Sequence, residues 1–236
     1  MHAPSVDNVW HQVLSVQPAP PRLLVLGTGL AALVMVGSRQ IWPISRTAVT
    51  IAHEGGHALV AVATGRRLDG VRVMRSTAGV TISKGSPSGP GIVATAAAGY
   101  ISPPLLGLGT AALLAVGHIA AALLLSLLLL AGLVIALRNA YGMLAVVIIG
   151  AAVAFVLWRG SATVEAVLGY AMAWFLLIGG VRPVLELQRS RHRGGARGSD
   201  ADQLARLTGM PAGMWVFLFG LVALGSLALS AFWLTR

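Results

Sequence analysis

The chain has 236 residues, 56% of them hydrophobic and 10% charged, with no cysteine and a formal net charge of +10. A mean hydropathy of +0.82 excludes an ordinary soluble domain and gives a multi-pass membrane protein; the missing thiols exclude disulfides and thiolate-rich structural zinc sites. In such a chain the positive charge reports orientation rather than nucleic-acid binding. Residues 1–21 form a polar, proline-ended tail without the basic start and apolar run of a signal peptide. In this tail Val9, Trp10, Val13 and Leu14 offer a small interfacial face; a disordered tail is the alternative. The membrane-embedded domain covers 22–236. A first span is predicted over 23–37, then a short turn with Arg39, Trp42, Pro43 and Arg46, then a second span over 47–64.

Residues 65–91 break the hydrophobicity. Val71, Val73, Val80 and Ile82 alternate with polar residues around the turn-like Ser76-Thr77-Ala78-Gly79, which predicts a β-hairpin. The run KGSPSGPG over 84–91 is a flexible connector. A third apolar stretch, 92–117, is interrupted by Pro103 and Pro104 and carries Tyr100, which reads as a packed interfacial tyrosine; orienting substrate or a metal ligand is the alternative. Its small residues 96–99 permit close helix contact. Further spans are predicted over 119–137, 143–158 and 164–181, with His118 and Glu165 as solvated residues at span ends. A second polar loop, 182–209, contains RSRHRGGAR; Ser199 is a plausible helix N-cap, and Leu204 and Leu207 form a short apolar stripe. The last span is 211–234.

The expected fold is an all-α polytopic membrane protein of six to seven transmembrane helices with a small β-hairpin. Counted over seven spans, most Lys and Arg residues fall on the N-terminal side: Arg22, the hairpin loop, Arg138 and the segment 182–206. Arg39, Arg46, Arg159 and Arg236 fall opposite. This predicts a cell-membrane protein whose N-terminus and both long loops are cytoplasmic.

The second span holds the chemistry. His53 and His57 are four residues apart, so on a helix they share a face and can grip one metal ion. Glu54 can reach a water on that metal. This is the His-Glu-x-x-His arrangement of zinc hydrolases, in which the metal acidifies water and the glutamate moves its proton. A packed polar cluster is the competing reading. Each ionisable group inside a membrane span costs about 2.5–3.5 kcal/mol on insertion scales, so three in two adjacent turns need a common partner. Gly55 and Gly56 weaken the helix further and let a neighbour approach.

His53-Glu54-Gly55-Gly56-His57 in a membrane helix, a β-hairpin just after it and a distant carboxylate resemble the site-2 protease family, intramembrane zinc metalloproteases. The likeness is greatest to its compact bacterial branch, where Ser199-Asp200-Ala201 is the matching downstream segment. The resemblance implies that His53, His57 and Asp200 bind Zn2+ and that Glu54 is the catalytic base. Two other carboxylates compete with Asp200. Asp202 lies two residues on. Leu68-Asp69-Gly70 matches the third-ligand segment of better-known members, but Asp69 stands 12 residues past His57, about 18 Å along a continued helix. There is no room for the peptide-binding domain that many members carry.

The expected activity is a zinc endopeptidase cutting a membrane-embedded or juxtamembrane peptide near the cytoplasmic face, with a membrane protein or peptide as substrate. Its rivals are a membrane zinc hydrolase of a lipid-linked substrate and a non-catalytic metal-binding membrane protein. The hairpin offers a strand edge on which an unwound substrate could pair; a simple connector is the alternative. The basic run 189–197 is assigned to the lipid bilayer, and no nucleic-acid partner is expected, because no recognition module accompanies it.

Overall fold

The computed structural model describes residues 11, 13–74, 79–195 and 198–236. In chain order these form α1 (Arg22–Gly37), α2 (Trp42–Ala63), β1 (Arg67–Val73), β2 (Gly79–Lys84), α3 (Pro90–Ala115), α4 (Ile119–Ala136), α5 (Ala140–Arg159), α6 (Ala162–His192), α7 (Asp200–Thr208) and α8 (Ala212–Leu234). Among the described residues, α3, α4, α5, α6 and α8 are each long and apolar enough to cross a membrane. Their outward residues, such as Leu128, Ile135, Leu144 and Phe155, are large, apolar and exposed, which suits a lipid-facing surface.

Helices α1 and α2 meet the same standard only as a pair, bent by 105°. The bend has local causes. Ser38 is extended, Pro43 sits in the first turn of α2, and the Ser38 hydroxyl accepts from the Gln40 and Ile41 amides. Helix α6 holds it from outside: Arg182 donates to the Val36 carbonyl, and the Trp42 indole donates to Glu186 at 3.0 Å.

This bend changes the expected topology. Taken as one broken crossing, α1 and α2 give up to six spans, so the start of α1 and the end of α8 share an end of the bundle. Arg22 accordingly donates to the Arg236 carbonyl at 3.0 Å, and the Gln17 amide donates to the Gly117 carbonyl at 2.8 Å. Under that reading the N-terminal side does not share an end with both long loops, as the count over seven spans expected. The hairpin and the α4–α5 turn are joined at the other end, where Asp200 of α7 meets the histidines of α2.

Three further expectations are corrected. Glu165 is not a solvated end residue: it is fully buried and accepts from the Gln17 side chain at 2.8 Å. The segment 182–209 is not a loop throughout, since α6 runs on to His192. At 31 residues, α6 extends about 46 Å, longer than the roughly 30 Å hydrocarbon core. Pro103 and Pro104 do not interrupt α3, which continues through them; each lacks an N–H, so the carbonyls of Gly99 and Tyr100 lose their helical donors. Val13 packs among Leu123, Val153 and Leu157 while Leu14 is exposed, so this part of the tail is docked on the bundle. Val9, Trp10 and most of the expected hairpin turn lie outside the described residues.

The hairpin is antiparallel, with Arg67 opposite Lys84, Val73 opposite Gly79, and an irregularity between Leu68 and Gly70. Val71 and Val73 are buried with Ile51, Ala58, Leu133 and Leu137, which fixes the hairpin against α2 and α4. The outer edge of β1 is covered. Arg138 donates its amide to the Val71 carbonyl at 2.9 Å. The Asn139 side chain accepts from the Val73 amide at 3.1 Å and donates to the Val73 carbonyl at 2.7 Å. The outer edge of β2 has no such backbone partner among the described residues.

Candidate metal centre

Helix α2 presents His53 and His57 on one face, as four-residue spacing requires. The His57 ring is oriented first. Its Nδ1–H donates to the Thr95 carbonyl at 2.6 Å, which leaves Nε2 with a free lone pair, the tautomer a metal ligand needs. The Thr95 hydroxyl turns back on its own helix, to the Gly91 carbonyl.

A carboxylate converges on both rings. Asp200 Oδ2 stands 3.2 Å from His53 Nε2 and 3.3 Å from His57 Nε2, and the two Nε2 atoms are 3.2 Å apart. Donors held about 2.0–2.1 Å from one tetrahedral ion stand about 3.3 Å from each other. The three atoms therefore have the spacing of one face of such a tetrahedron, and their chemistry, two neutral imidazoles and a carboxylate, suits zinc. Burial pushes the Asp200 carboxyl up, but the two imidazoles outweigh it and hold the group well below the usual carboxylate range.

Asp200 reaches this point because α7 is short and firmly capped. Ser199 is its N-cap and forms a reciprocal capping box with Asp202. Asp202 accepts from the Gly198 amide at 3.1 Å and the Ser199 amide at 3.3 Å, and it pairs with Arg191 at the end of α6. Burial raises the Asp202 carboxyl, while Arg191 and Ser199 bring it below its ordinary value. Ala201 and Leu204, both fully buried, seat the helix against α3 and α8. At its far end Gly209 takes a φ of 75° and stops the helix. Of the three competing carboxylates, then, the structure brings only Asp200 to the histidines. Asp69 lies at the mouth of the hairpin, 2.6 Å from Lys84 and 3.5 Å from Arg67, and Lys84 holds its carboxyl below the usual range.

Glu54 is 3% exposed. Its carboxylate accepts from the Thr81 hydroxyl at 2.6 Å, and its side chain lies directly over Gly79, where a Cβ would collide with it. Strand β2 thus clamps Glu54 from above. Glu54, His53 and Asp200 line one cavity of about 290 Å³ together with Trp42, Arg46, Thr50, Gly79, Tyr100 and Ser199.

Several residues of this site went unread in the sequence. Gly99 faces both imidazoles, and a Cβ there would lie 2.6 Å from His53 Nε2 and closer still to His57 Nε2. The run of small residues over 96–99 was the available signal, but it did not say which one meets the rings. Thr81, Gly79 and Thr95 carried no local signal. Tyr100 is more than an interfacial ring: it meets His53 edge-on at a centroid distance of 4.9 Å and stacks on Phe219 at 5.0 Å.

The fold and site define a polytopic membrane protein with a His-His-Asp group and a buried glutamate at one end of a helical bundle. A family model described as Peptidase M50B-like matches residues 26–230. The chain belongs to that family, within the site-2 proteases, which are membrane metalloproteases. No curated protein and no solved structure matches it.

Proposed function

We propose that this chain is a zinc endopeptidase that cuts a membrane-embedded or juxtamembrane peptide at the end of the bundle bearing the hairpin and α7. The observation that carries the reading is the triangle of His53, His57 and Asp200 beside the buried Glu54. When bound by those three residues, zinc supplies a Lewis acid that brings a water to a pKa of about 7 and polarises a carbonyl. Glu54 accepts the water's proton on its carboxylate and later delivers it to the leaving amine. The Thr81 hydroxyl, bound to one carboxylate oxygen, keeps the side chain in place for both transfers. Tyr100 holds the His53 ring edge-on, and the Thr95 carbonyl holds His57.

Substrate access is by strand addition. A helix cannot be cut while its carbonyls are hydrogen-bonded, so the peptide unwinds first. The outer edge of β2, which has no backbone partner among the described residues, gives it hydrogen-bond partners, and Thr81 on the same strand touches Glu54, so a peptide added there lies against the base. The cytoplasm is the side assigned to this end, since it carries the basic residues of the hairpin and of 182–206, leaving Arg22, Arg159 and Arg236 at the other. The N-terminal end of α1 is then external.

The test is purified protein with Glu54→Gln and His57→Ala variants, followed by metal analysis and by mapping of new peptide termini in membranes. Glu54→Gln should keep its zinc and lose cleavage by about 10²–10⁴-fold; His57→Ala should lose both. Unchanged termini across all three proteins would sink the protease reading, and unchanged zinc in His57→Ala would sink the metal assignment.

A further inference from the structure

Among the described residues lining the cavity, Arg46 is the charged group that this mechanism does not use. It lies seven residues before His53 on α2, two turns away on the same face, with Thr50 between them. All three line the cavity with Glu54 and Asp200, and Arg46 also lines the adjoining cleft toward Ser190 and Gly198.

Among the described residues its side-chain donors make no hydrogen bond, although the guanidinium stays in ion-pair range of Glu186. Glu186 is the natural partner, but Glu186 Oε1 already receives Arg182 Nε at 2.9 Å and the Trp42 indole at 3.0 Å. The other oxygen stands 3.6 Å from Arg46 Nη2, too long for a hydrogen bond. Arg46 Nε is enclosed without a protein partner among the described residues, and the guanidinium lies 5.7 Å from the centroid of the Trp42 ring. Two arginines flank one carboxylate. Arg182 is tied to it and to the α1–α2 bend, while Arg46 keeps its planar fork of donors at the cavity wall. A guanidinium placed so is matched to a carboxylate, which it can take with two parallel bonds.

We infer that Arg46 anchors a carboxylate of the peptide substrate beside the metal centre. This rests on the proposed peptidase reading and adds a substrate class to it. Seven helical residues span about 10.5 Å and an extended peptide about 3.3 Å per residue, so the carboxylate lies within about three residues of the cut. It comes either from an acidic side chain or from a free C-terminus.

The test uses zinc-loaded full-length protein in detergent with matched transmembrane peptides. These carry Asp, Asn or Lys at each of four positions on either side of a central site, and each is made as C-terminal acid and as amide. Binding is read in Glu54→Gln protein by fluorescence anisotropy, cleavage in wild type by mass spectrometry. One Asp position, or the free acid, should bind about 10–100-fold more tightly than its neutral match. Arg46→Ala should abolish that ratio and Arg46→Glu should favour Lys, with zinc content and melting temperature unchanged. If the wild type shows no acid preference, or Arg46→Ala preserves it, the anchor is wrong even where cleavage persists. Absence of cleavage with Arg46-dependent acid binding intact counts instead against the peptidase reading alone.

Discussion

Glu54 and Glu165 are both buried carboxylates, 3% and 0% exposed, and they lie at opposite ends of the bundle. Around Glu54 the fold arranges a hydroxyl, a glycine, two imidazoles, an aspartate and a cavity. Around Glu165 it brings the amide of Gln17 from the docked tail, 148 residues away in sequence. One carboxylate is held while its surroundings stay open to a ligand; the other is closed over by the chain itself. Burial alone therefore says little about function. What distinguishes the two is whether the partners are groups that bind or move something, or groups that complete a fold.

That contrast can be broken most sharply at Gly99. A Cβ there meets both imidazole rings from a helix backbone that cannot easily yield. Gly99→Ala should reduce bound zinc to background, whereas Gly109→Ala on the same helix, where a Cβ meets nothing within 4 Å, should leave it unchanged. Metal analysis of the two purified variants decides this, and equal zinc in both would mean that the rings do not need that space.

A smaller effect is expected at Asp202. Removing it deletes half of the capping box and the tie to Arg191 while leaving Asp200 present. Loss of such a supporting group typically weakens metal binding by about 10–100-fold. Titration of Asp202→Ala with a zinc-competing chelator should show this, and Asp202→Asn, which can still accept hydrogen bonds, should recover part of the loss. Unaltered affinity in Asp202→Ala would make the cap dispensable.

The smallest functional effect belongs to Glu165. Glu165→Ala breaks one contact between the tail and α6 and strands the Gln17 amide, at a cost of about 1–3 kcal/mol. Its melting temperature should fall, and its zinc content should stay at the wild-type level. A loss of zinc would show that the two ends are coupled and would remove the distinction between them.

Much of the site could be read from the chain because it is contiguous. His53, Glu54 and His57 lie within two helical turns, and helix periodicity alone puts both imidazoles on one face. The hairpin was equally legible, since alternation over Val71, Val73, Val80 and Ile82 is a local property. The choice of Asp200 over Asp202 was not. The two differ in what they touch: Asp202 is occupied by Ser199, Gly198 and Arg191, and only assembled chain reveals that. The α1–α2 bend was missed because each half is apolar and reads as a separate crossing. The clamp that holds the bend from outside, Arg182 and Glu186, lies more than 140 residues further on.

What the sequence determined by itself was the membrane class, the helices and the pair of histidines, because hydropathy and periodicity act over one or two turns of chain. The tertiary structure decided which carboxylate completes the triangle, which glycine gives the rings room, which hydroxyl holds Glu54 and which arginine is left facing the cavity. Those are contacts between segments tens to hundreds of residues apart, selected by how side chains pack and satisfy one another. No local pattern encodes that selection.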